Sequence, residues 1–91
     1  MSLTQKKALN IEDRKVIKVL EKPFTRKILN IFDKNPLTAS EIAEAISFPK
    51  DKIHYHIKKL LSLELLYITD AEIIKGIEQK KFLPTAKHFI I

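Results

Sequence analysis

One stretch, Thr38–Leu66, limits the possible folds more than any other part of the chain: TASEIAEAISFPKDKIHYHIKKLLSLELL. It opens with Thr38-Ala39-Ser40-Glu41. In this pattern a threonine hydroxyl and a glutamate carboxylate satisfy each other's backbone donors at a helix start. Ala39, Ile42, Ala43 and Ile46 supply an inner face, and Ala43 is small enough for a second helix to cross closely. Ser47-Phe48-Pro49 predicts a tight turn, and a longer helix follows over about 50–63. At 1.5 Å per residue it is roughly 20 Å long. Its wheel puts Ile53, Ile57, Leu60 and Leu61 inside and Tyr55, Lys59 and Ser62 opposite, with Asp51 and Lys52 beside them. His54 and Lys58 form one flank and His56 lies on the other. Two helices so joined, the second apolar inside and cationic outside, suit the major groove of DNA.

The flanking segments complete the architecture. A first helix is expected from Asn10 as N-cap, with Glu12 and Asp13 in the positively polarised first turn. Val16, Ile17, Val19 and Leu20 give it a buried stripe, and Pro23 stops it. Pro23 also suits the start of a second helix over about Phe24–Lys34, where Phe24, Ile28, Ile31 and Phe32 share a face. Downstream, Leu65–Ile74 and Ile77–Leu83 are apolar-rich runs around Lys75-Gly76. Gly76 is the only glycine, and it falls where a hairpin turn needs positive φ. A hairpin directly after a basic helix is a wing. The expected fold is therefore mainly α with a small β-hairpin: four helices plus a two-stranded wing at about 65–83, a winged helix-turn-helix. Residues 1–9 read as a flexible basic N-terminus and residues 10–91 as one domain.

Composition narrows the partners. A net charge of +6 favours a polyanion. The absence of cysteine excludes disulfides, thiolate metal sites and thiol catalysis. No apolar run approaches the roughly 18 residues of a membrane span, and the polar start is not a signal peptide. A cytoplasmic protein without a membrane partner is the expectation.

The segment Val19–Leu83 resembles the ArsR-like winged-helix transcriptional regulators. The resemblance rests on Arg26-Lys27-Ile28-Leu29, Glu41-Ile42-Ala43, Tyr55-His56-Ile57-Lys58-Lys59-Leu60 and the closing Phe82-Leu83-Pro84-Thr85-Ala86. Such proteins usually place glycine in the turn between the paired helices and again after the recognition helix. Here Ser47 and Glu64 stand at those places. The metal sensors of the family use cysteine clusters, which this chain cannot form.

The sites follow from these readings. Lys50, Lys52, Lys58 and Lys59 are expected to position the protein on phosphates, with base discrimination from Lys52, His54 and Tyr55. Ser40 is a candidate phosphate contact through its hydroxyl and the helix N-terminus. Lys75, Lys80 and Lys81 would grip flanking backbone or minor groove. Tyr55 could instead be an aromatic at the core edge. His54 and His56 point about 200° apart and cannot share a metal, and His88 has no acidic neighbour. No metal, cofactor or catalytic residue is therefore expected, and the chain does not read as an enzyme. The expected partner is double-stranded DNA, bound for sequence-specific transcriptional regulation. The alternative is a winged-helix protein-interaction module, disfavoured because protein interfaces are depleted in lysine. A homodimer is expected because one recognition helix reads few base pairs. Many similar proteins dimerise through a helix after the wing. With Ile91 following the wing so soon, the first helix (Val16, Val19, Leu20) and the tail Phe89-Ile90-Ile91 are the expected contacts.

Overall fold

A computed structural model describes residues 5–90 of the chain. The order is β1 (Lys6–Asn10), α1 (Arg14–Glu21), α2 (Pro23–Asn30), β2 (Leu37–Thr38), α3 (Ala39–Ala45), α4 (Lys50–Ser62), β3 (Leu66–Ile74), β4 (Ile77–Pro84) and β5 (Ala86–Ile90). The four helices and the wing hairpin are those read from the sequence. Strands β2, β4 and β3 form one sheet in that order, and β1 pairs in parallel with β5 in a second.

The strand β1 overturns the expected start of the first helix. Asn10 is held opposite Ile90, and the Ile11 amide donates to the Ile90 carbonyl at 2.7 Å. The cap passes to Asp13, whose carboxylate accepts from the Lys15 amide at 2.8 Å. Within the segment expected to be flexible, Lys6–Asn10 is thus a paired strand; Met1–Thr4 lie outside the described residues. A pairing between the two ends of a chain leaves no local sequence signature, which is why the helix pattern alone misplaced this boundary.

Between α1 and α2, Lys22 is extended (φ −70°, ψ 129°) and serves both helix ends at once. The following proline excludes it from the helical region, and Pro23 then occupies the first turn of α2. That helix ends at Asn30, four residues before the expected Lys34. Ile31 and Phe32 still pack against the core from the turn, so their spacing reported the buried face correctly and the helix length wrongly. The chain must open here to place Leu37 and Thr38 opposite Phe82 and Lys81 of the wing.

The capping box of α3 forms as expected: the Glu41 amide donates to Thr38 Oγ1 at 3.2 Å and the Thr38 amide to Glu41 Oε1 at 2.9 Å. Ile42 and Ala43 of α3 and Ile53 of α4 are wholly buried, joined by Ile28, Ile57, Leu60, Leu65, Leu66 and Phe82. Val16, Val19 and Leu20 belong to the same core. This corrects the expectation that they are spare for a partner: the first helix spends its apolar stripe inside its own chain. Phe89 packs partly on the core, Ile90 is about half exposed, and Ile91 lies outside the described residues.

Both ends of α4 are framed by non-glycine residues in the left-handed region, Ser47 (φ 55°) and Glu64 (φ 60°). These are the two positions where the sequence lacks the expected glycines. In each turn a later amide reaches back to a carbonyl five residues earlier, Phe48 to Ala43 at 2.8 Å and Leu65 to Leu60 at 2.9 Å. Buried Leu65 fixes the second turn from outside the helix. A side chain in this region costs about 1 kcal/mol. Glu64→Gly should therefore stabilise the domain by up to about 1 kcal/mol, raising the melting temperature by roughly 4–8 °C. Thermal denaturation followed by circular dichroism checks this, and an unchanged or lower midpoint would contradict the strain assigned to Glu64.

Candidate nucleic-acid interface

The candidate surface begins with what α4 buries. Ile53, Ile57 and Leu60 seal one side, which turns Lys50, Asp51, Lys52, His54, Tyr55 and Lys58 outward. Lys59 is half-buried. Tyr55 is 68% exposed, so it is not the core-edge aromatic that the sequence left open. Its ring stands nearly perpendicular to that of His56, centroids 5.3 Å apart.

His56 fixes the roll of α4. Its imidazole packs between Phe24 of α2 (4.6 Å) and Phe48 of the turn (5.5 Å), and the two phenylalanine rings meet at 4.9 Å. This aromatic cluster joins α2, the helix-joining turn and the middle of α4. Sequence periodicity placed His56 on a flank. The cluster itself could have been anticipated from Phe48, the one large apolar residue in the turn.

Ser40 is exposed near the start of α3. The capping box places the Glu41 carboxylate at that end of the helix and occupies the Glu41 amide. An incoming phosphate would meet a resident anion there, and Ser40 offers chiefly its own hydroxyl.

The wing differs most from expectation. The turn is a two-residue one, with Lys75 (φ 52°) and Gly76 (φ 79°) both left-handed between the paired Ile74 and Ile77. This is the backbone of a type I′ hairpin. Lys75 is exposed at the apex. Lys80 lies 3.7 Å from Glu78, and Lys81 lies 3.3 Å from Glu72. Across residues 70–81, three carboxylates (Asp70, Glu72, Glu78) balance three ammonium groups (Lys75, Lys80, Lys81), a net charge of zero. The sequence reading weighed the lysines and omitted the acids. It also omitted Ile73, Ile74 and Ile77, which stand 77%, 49% and 63% exposed around the apex. The adjacent pair Ile73-Ile74 breaks strand alternation, and that was the available signal.

Residues 23–67 match the profile of the family described as "Bacterial regulatory protein, arsR family". They are an ArsR-like helix-turn-helix. The match runs from Pro23 at the start of α2 through α3 and α4 to Tyr67 in β3. It therefore contains the whole helix-turn-helix, whose family is one of DNA-binding transcriptional regulators. No curated protein matches the chain. The outer wing and the β1–β5 pairing lie beyond the matched residues. Among the described residues no group of three or more histidine, cysteine or acidic side chains is placed to hold a metal ion.

This geometry separates two neighbouring residues of the ArsR-type helix. Tyr55→Ala should change folding stability by no more than about 0.5 kcal/mol, as expected of an exposed side chain. His56→Ala should cost roughly 1–3 kcal/mol by opening the aromatic cluster. Urea unfolding of both variants measures the difference, and equal costs would contradict the assigned roll of α4.

Proposed function

We propose that the protein is a sequence-specific double-stranded DNA-binding regulator of transcription that lays α4 in the major groove. The single observation that carries this reading is the division of α4 between a buried isoleucine side and an outward Lys/Tyr/His side within an ArsR-family domain. Lys50, Lys52, Lys58 and Lys59 neutralise phosphates along the groove walls. Lys52, His54 and Tyr55 lie in the N-terminal half of the helix, where recognition helices reach base edges. Ser40 adds a hydroxyl contact to the backbone. Lys75 is the most available wing cation, while Lys80 and Lys81 must first leave Glu78 and Glu72.

Selectivity argues for two copies of the domain on DNA. A single helix reads few base pairs, and a second about 34 Å away would double the contacts on an inverted repeat. With the α1 stripe buried in the monomer, the remaining apolar candidate of those expected is the β5 edge around Ile90. We place the protein in the cytoplasm, with no role at a membrane. No helix among the described residues is long and apolar enough to cross one.

Fluorescence-anisotropy titrations of labelled duplex at several salt concentrations test the reading. Affinity should fall with salt, each phosphate contact adding about −0.9 to the slope of log affinity against log salt. No binding at low salt, to random or to selected sequences, would overturn it. Tyr55→Ala should narrow the gap between a selected site and random DNA by about 1–3 kcal/mol. Sedimentation of the DNA-bound protein should show two 10.6 kDa chains per site.

A further inference from the structure

The outer wing is uncharged overall and apolar at its tip, which is an unusual composition for a segment that grips phosphates. Ile74 and Ile77 are directly paired across the turn and so share one face of the hairpin. Ile73 is paired with Glu78 and lies on the reverse face. Three large aliphatic side chains thus surround the apex on both faces, 77%, 49% and 63% exposed for Ile73, Ile74 and Ile77. The domain core does not use them, because every residue from Asp70 to Glu78 is exposed. Below the tip, Lys80 and Lys81 are paired with Glu78 and Glu72.

We propose that the wing tip is an apolar wedge for the DNA minor groove, in which Ile74 and Ile77, backed by Ile73, intrude between base pairs and unstack a step. The proposal rests on the DNA-binding reading above and assigns the wing a different role from phosphate contact.

Three observations select this partner. The first is shape: a flat protein surface covers one face of a hairpin, whereas a groove with two walls covers both. The second is charge, for the lone apical cation, Lys75, leads the tip towards the strongly negative groove floor. The third is reach. From Leu66 to Ile74 the strand spans about 26 Å, more than the roughly 12 Å width of a major groove. Aliphatic side chains inserted at a base step partly unstack it and bend the duplex towards the major groove. The energy of that deformation depends on sequence and is least at pyrimidine–purine steps such as TA. The wedge therefore reads deformability at a flank that α4 does not touch.

The experiment uses the full chain and a selected duplex carrying 2-aminopurine at a flanking TA step, with donor and acceptor dyes at its ends. Binding is read by anisotropy, unstacking by 2-aminopurine fluorescence and bending by energy transfer. Wild-type protein should raise the 2-aminopurine signal and shorten the end-to-end distance. Ile74→Ser/Ile77→Ser should bind about tenfold more weakly, with the salt slope retained and both deformation signals lost. An unchanged melting temperature confirms that the variant is folded, since both side chains are exposed. Binding by wild type without unstacking, or equal unstacking by the variant, would overturn the wedge and leave the DNA-binding reading intact. An absence of binding by either protein would overturn both. If the variant deforms DNA normally but sediments as a smaller species, the patch joins two copies of the chain and the wedge is again overturned.

Discussion

The close crossing of α3 and α4 is the contact on which everything else depends. Ala43 has no exposed surface, and neither do Ile42 beside it and Ile53 on the facing helix. A larger residue at Ala43 would push α4 away from the core, because a close-packed interior has no void to receive it. The direction of every outward side chain on α4 is inherited from this contact. His56, held between Phe24 and Phe48, removes the remaining freedom to rotate about the helix axis.

The ends of α4 are fixed in a different way. Ser47 and Glu64 adopt a conformation that favours glycine, and each is held there by the residues that follow it. Phe48 and Leu65 return their amides to the preceding helix, and their side chains enter the aromatic cluster and the core. Tertiary burial overrides local preference at both corners. Helix α4 is consequently set by packing along its length and by two strained corners at its ends.

Much of this was legible in the sequence where the cause was local. The capping box at Thr38, the proline start of α2, the inner stripe of α4 and the glycine turn of the wing each depend on residues within one or two turns of one another. Three features were not legible, for one physical reason. The strand at Lys6–Asn10 exists only because Ala86–Ile90 lies beside it. The pairing of Lys81 with Glu72 needs the hairpin register. That Val16, Val19 and Leu20 are buried was readable from their stripe, but that they are buried in their own core and not against a partner needs the folded cluster. Each is a contact across distance in the chain, and amphipathic patterns say that a face is buried without saying against what. At the candidate interface, the exposed lysines and Tyr55 followed from periodicity, whereas the neutral, apolar wing tip required counting the acids and the isoleucines as carefully as the lysines.

Thr85 ties the distant parts together. Its amide donates to the Leu65 carbonyl, its hydroxyl to the Glu64 carbonyl, and its own carbonyl accepts from the Lys6 amide. The end of α4, the base of the wing and the first strand therefore meet at one residue. The β1–β5 ribbon that continues from it closes a loop of about 80 residues, since Lys6 pairs with Ala86. Closing so long a loop costs more entropy than closing the local turns, which favours a ribbon that zips after the helical core has brought Thr85 into position. The same order runs backwards on opening. Opening of the ribbon alone would leave the helix-turn-helix core intact, so its amides are expected to exchange with solvent before those of the buried helices.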